Sequence, residues 1–107
     1  MDKKFSNVGL EQISGTSFYF GMVKASANEL VNVLGMYEFG DGEKVEREWM
    51  IKSESGIIFT VYDWKEGYTS EKTVLHYHIG TFTKEDTEAV VNELKAAGLN
   101  AYVDSLF

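Results

Sequence analysis

Two stretches of alternating residues, 45–52 and 57–64, lie on either side of Ser53-Glu54-Ser55-Gly56. A period of two is the mark of a half-buried strand, and a short connection ending in glycine joins two such strands into a hairpin, because glycine adopts the positive φ of the turn. A two-stranded ribbon is marginal alone in water, so the rest of the chain must pack around it. Pairing Lys52 with Ile57 places Val45, Arg47, Trp49, Ile51, Ile58, Thr60, Tyr62 and Trp64 on one face, the one expected to meet helices. The other face then carries Glu46, Glu48, Met50, Lys52, Ile57, Phe59, Val61 and Asp63. A lone chain built this way exposes an apolar strip, and a homodimer is the expected remedy.

Around the ribbon the pattern alternates between strand and helix. Residues 18–24 have strand periodicity, and Ser26-Ala27-Asn28-Glu29 matches a capping box that opens a short helix with Leu30, Val31 and Leu34 as its apolar stripe. Gly35 supplies its stop. Residues 36–44, with Gly40-Asp41-Gly42, read as an exposed turn-rich loop. Residues 73–79 alternate again and make a third consecutive antiparallel strand. Thr83 caps a second helix running to Ala97, with Ala89, Val90, Leu94 and Ala97 facing inward and Gly98 ending it. Residues 99–103 are a last short strand or an extended tail. The expected fold is α+β: a single-domain antiparallel sheet in the order β-α-β-β-β-α(-β), with two helices on one face. Residues 1–14 are expected to be loosely ordered and 15–107 to form the domain.

Composition narrows the function classes. A chain of 107 residues supports one core, and 44% hydrophobic content with fifteen aromatic rings is too rich for disorder. With no Cys, neither a disulfide nor a thiolate zinc site can form. A net charge of −7 repels phosphate backbones and anionic headgroups, so general nucleic-acid or membrane-surface binding is not expected. No apolar run reaches bilayer length and no export signal follows the first lysines, which makes the expected location cytoplasmic.

No catalytic signature stands out. His76 and His78 project to one side of a strand as paired metal ligands would, but no third ligand is evident, and the plainer reading is two polar residues on a half-exposed sheet face. Glu46 and Glu48 share a strand face and could split their pKa values for acid–base work, although most such pairs are simply solvated. Gly40-Asp41-Gly42 lacks the Lys-Ser or Lys-Thr of a phosphate loop. No enzyme and no cofactor are expected. Tyr62, Trp64, Lys65 and Tyr68 could stack a nucleobase or hold a partner's arginine, or could be a core edge. The acidic set Glu38, Asp41, Glu43, Glu46 and Glu48 is either a solubilising face or a docking surface for a basic groove.

Several segments together resemble a family of small bacteriophage-encoded proteins. They are Phe20-Gly21-x-Val23-x-Ala25-Ser26, Leu30-Val31 with Leu34-Gly35, Lys44 with Glu48-Trp49-x-Ile51, Gly56-x-Ile58-x-Thr60-Val61-Tyr62-Asp63-Trp64-Lys65, and His78-Ile79-Gly80. Tyr77 stands where the family pattern has tryptophan. The resemblance implies, by analogy of class, an accessory factor that binds and disables host machinery such as defence nucleases or CRISPR effectors. The expectation is a non-enzymatic inhibitor of a host protein with a basic groove, acting in the host cytoplasm. Tyr62, Trp64 and Tyr68 would be its anchors beside Lys65, and Glu43, Glu46 and Glu48 would steer the encounter. The alternative is a nucleotide-sequestering protein, with Trp64 or Tyr62 stacking the base and Lys65 or Arg47 meeting phosphate. A metal-dependent hydrolase built on His76 and His78 is a third reading.

Overall fold

The computed structural model describes residues 5–9, 18–40, 42 and 44–103, with backbone alone for Phe18, Tyr19 and Phe20. The chain runs β1 (Phe5–Asn7), β2 (Phe18–Ser26), α1 (Ala27–Leu34), β3 (Glu38–Phe39), β4 (Arg47–Ser53), β5 (Ile58–Tyr62), β6 (Val74–Thr81), α2 (Lys84–Ala96) and β7 (Asn100–Val103). All the pairings are antiparallel. The strand order is β1-β4-β5-β6-β2-β7, and β3 joins β4 on the same outer edge as β1. The expected order is present as β2-α1-β4-β5-β6-α2-β7. β3 arises within the segment read as a loop, and β1 within the one read as loosely ordered. Phe5 of β1 is buried, its ring edge-on to Phe59 at 6.1 Å. The remainder of 1–14, apart from residues 8 and 9, lies outside the described residues.

The hairpin forms, but one residue out of the expected register. Lys52 pairs with Ile58, Ile51 with Phe59 and Trp49 with Val61. The cause is the turn. Ser53 remains paired, its amide donating to the Ile57 carbonyl at 2.9 Å, so the connection is the three residues Glu54-Ser55-Gly56 with Gly56 at φ 93°. Because side chains alternate across a sheet, this slip transfers every β5 residue to the opposite face. Phe59 and Val61 share the covered face with Trp49 and Ile51, and all four are fully buried. Ile58, Thr60 and Tyr62 lie on the other face. The exposed apolar strip that pointed to a homodimer is therefore absent from this hairpin.

Both helices pack on the covered face. α1 begins with the expected capping box: Ser26 Oγ accepts from the Glu29 amide at 3.2 Å, and the Ser26 amide donates to Glu29 Oε1 at 3.1 Å. α2 is capped by Thr83 Oγ1, which accepts from the Asp86 amide at 3.1 Å. Ala27, Leu30 and Leu34 of α1 and Val90, Val91 and Leu94 of α2 join Val23, Trp49, Ile51, Phe59, Val61, Tyr77 and Ile79 in one core. The contact of α2 with β2 is close enough to require glycine. A Cβ on Gly21 would lie 2.9 Å from Thr87 Cγ2 and 3.3 Å from Val91 Cγ2.

Candidate functional site

The helix-free face of the sheet carries a row of side chains, one from each of six strands. Tyr102 pairs with Met22, Met22 with His78, His78 with Tyr62, Tyr62 with Glu48 and Glu48 with Glu38. At about 4.8 Å between strands the row is roughly 24 Å long, the width of an ordinary recognition patch. Its first five members are half-buried and Glu38 is exposed. The Tyr62 and His78 rings lie 5.5 Å apart at a 30° tilt. Tyr102 donates to Met22 Sδ at 3.6 Å, and its hydroxyl is hydrogen-bonded to His76 Nδ1 at 2.7 Å. The adjoining Gly80, Thr60 and Met50 are buried.

Just past β5, Trp64 extends the row, edge-on to Tyr62 at 6.4 Å. The ammonium groups of Lys44 and Lys65 stand over its ring at 5.8 and 5.6 Å. Lys65 has φ 59°, the one positive value at a non-glycine position among the described residues, and its amide donates to the Lys44 carbonyl at 2.6 Å. Burial and then the Glu48 charge raise the Tyr62 pKa above the ordinary tyrosine value. The Tyr62 phenol thus keeps its proton and remains a hydrogen-bond donor at neutral pH.

Of the residues singled out from sequence, Tyr62, Trp64, Lys65 and Glu48 come together on this side. Tyr68 does not join them. Its ring covers the Arg47 guanidinium at 5.7 Å, and Tyr37 covers the same group at 5.3 Å. Arg47 belongs to the covered face, is only 3% exposed, and donates to Thr69 Oγ1 at 3.2 Å and to the Thr69 carbonyl at 2.8 Å. It cannot serve one ligand together with Tyr62, on the other side of the sheet. Glu46 precedes β4 instead of sharing a strand face with Glu48, and it lines a groove with Tyr37, Phe39, Arg47, Tyr68 and Glu71. Glu43 and Asp41 lie outside the described residues.

Behind Arg47 sits a buried polar group. Asp63 Oδ1 accepts from the amides of Glu46 at 2.8 Å and Arg47 at 3.1 Å. Asp63 Oδ2 and the Tyr77 hydroxyl are buried without a hydrogen-bond partner. Burial raises the Tyr77 pKa, the nearby Arg47 charge opposes that rise, and Asp63 adds to it. For Arg47, burial works against the charge, but Tyr37 and Tyr77 outweigh it and the pKa is raised. The ring of Tyr37 also meets Trp49 at 5.3 Å, and Trp49 Nε1 donates to the Gly35 carbonyl at 2.8 Å.

Met22 and Tyr102 were not among the residues read from sequence as functional. The alternation in β2 already placed Met22 opposite Val23; nothing local distinguished Tyr102 in a tail from Tyr102 in a strand. His76 and His78 do lie on one side of β6, one bonded to Tyr102 and the other against Tyr62. Among the described residues, no group of three or more His, Asp or Glu side chains is gathered where it could hold a metal ion. No helix among them is long and apolar enough to cross a membrane. Comparison with protein-family models, curated proteins and solved structures returns no significant match.

Proposed function

We propose that this is a non-enzymatic, phage-encoded binding protein that docks its helix-free face on the basic groove of a host defence or nucleic-acid-handling protein and blocks it. One observation carries the reading: the Tyr102–Met22–His78–Tyr62 row ends at Glu48 and Glu38, directly opposite each other on β4 and β3. Like charges in register oppose folding, and the pair gives this end of the row a sign that a basic surface complements. The half-buried rings supply anchors, the carboxylates supply orientation, and the net charge of −7 speeds the encounter with a basic surface. The phage source and the host target rest on the sequence resemblance.

The test is affinity capture from bacterial lysate with the wild-type chain, Tyr62→Ala/Trp64→Ala, and Glu38→Lys/Glu48→Lys as baits. The reading expects a basic protein held by the wild type and released by both double variants, with association slowing steeply as salt rises. Retention unchanged by charge reversal sinks it. The two lysines over Trp64 favour a second reading, in which the indole stacks a nucleobase and the ammonium groups meet its phosphates. A nucleotide panel that leaves the melting temperature unmoved removes that reading.

A further inference from the structure

The groove beyond the edge of Arg47 is not used by the row described above. It holds about 190 Å³ and is lined by Tyr37, Phe39, Glu46, Arg47, Tyr68 and Glu71. Phe39 and Tyr68 are each 83% exposed, an unusual state for two large rings at one concavity. Arg47 is the only cation among the described residues of the lining, and it is spent inward: its guanidinium is bonded to Thr69 and covered by Tyr37 and Tyr68. The carboxylates of Glu46 and Glu71 therefore set the sign at the mouth. An anion would meet two like charges there, and a purely apolar group would strip water from both carboxylates without replacing it.

We propose that this groove receives one arginine side chain of the protein partner, its guanidinium stacked on Tyr68 and Phe39 and bonded to Glu46 and Glu71. Arginine fits better than lysine because the planar fork can stack on a ring and bond a carboxylate at once, and it sheds water more readily than an ammonium group. The proposal rests on the binding reading and names the chemistry of a second contact, on the other side of β4 from the row.

The probe is the capped peptide acetyl-Gly-Arg-Gly-amide, titrated into the ¹⁵N-labelled full chain, with the lysine peptide as comparison. Saturable shifts are expected at the amides of Phe39, Glu46, Tyr68 and Glu71, weaker with lysine. They should weaken by about tenfold in Glu46→Gln/Glu71→Gln, the loss expected when a charge-assisted hydrogen bond is reduced to a neutral one. Tyr68→Leu, at an exposed position, is the second variant and should weaken binding while leaving the fold intact. Absence of saturable shifts overturns the proposal, as do shifts confined to Tyr62, His78 and Trp64 or a response unchanged in both variants. If these results fail while the affinity capture succeeds, the groove assignment falls and the proposed function stands; arginine binding without any captured partner reverses that outcome.

Discussion

A single carboxylate oxygen of Asp63 accepts the backbone amide of Arg47 at 3.1 Å, so the residue that follows β5 holds the first residue of β4 in place. The same oxygen takes the Glu46 amide at 2.8 Å. The side chain thus does what a backbone carbonyl does within a ladder.

Replacing Asp63 by Ala removes the acceptor for both amides and leaves two backbone donors unpaired. The expected cost is about 3 kcal/mol of unfolding free energy. Asp63→Asn retains an acceptor oxygen and should cost about half as much. Urea unfolding of the three proteins at neutral pH measures both; equal stability of Ala and wild type would remove the role assigned to Asp63.

Alkaline pH should destabilise the protein through Tyr62 and Tyr77. Both folded pKa values are raised, chiefly by burial, above the ordinary value near 10. Above about pH 10 the unfolded chain releases these protons first, so stability falls as pH rises and is fully present below that value. Tyr77→Phe should flatten the fall. It should also leave stability at pH 7 within about 1 kcal/mol of wild type, because the hydroxyl it deletes has no hydrogen-bond partner. Chemical denaturation across that pH range gives both slopes.

Gly21 marks where α2 touches the sheet. Gly21→Ala should cost about 1–3 kcal/mol by forcing its methyl against Thr87 Cγ2 and Val91 Cγ2. Thr87→Ser deletes the nearer methyl and keeps the hydroxyl that bonds Thr81. The double variant should therefore recover part of the loss, a coupling of about 1 kcal/mol in a double-mutant cycle. Strict additivity would show that the helix does not rest on this strand.

Glu38→Gln should raise stability by about 0.5 kcal/mol, since it removes a like charge directly opposite Glu48. The same change should weaken capture of a basic partner. Thermal melting and affinity capture on one preparation check the pair of effects, and a loss of stability would remove the strain assigned to these carboxylates.

Much of the architecture is legible in local patterns, because caps, turn glycines and periodicity act over a few residues. Ser26 with Glu29, Thr83 before its acids, and the alternation in 45–52 and 73–79 are enough to specify two helices on one side of an antiparallel sheet. The extra pieces are less visible. β1 and β3 are three and two residues long, too short for periodicity to speak, and exist because the outer edge of β4 offers them hydrogen bonds.

The register of the hairpin was decided elsewhere. Ser53-Glu54-Ser55-Gly56-Ile57 accommodates either a three- or a four-residue connection, and both keep the alternation. Only the demand that Phe59 and Val61 be buried with Trp49 and Ile51 beneath the helices selects between them, and the signal lay in which choice gathers the large apolar side chains on one face. That choice sends Tyr62 to the helix-free side, while Tyr68 reaches Arg47 on the other, though the two are six residues apart. It also aligns Tyr102, Met22, His78, Tyr62, Glu48 and Glu38, residues drawn from the whole length of the chain. The amino-acid order determined the elements, whose causes are local; burial of a shared core decided which side chains stand together, because only the packed sheet brings distant strands into register.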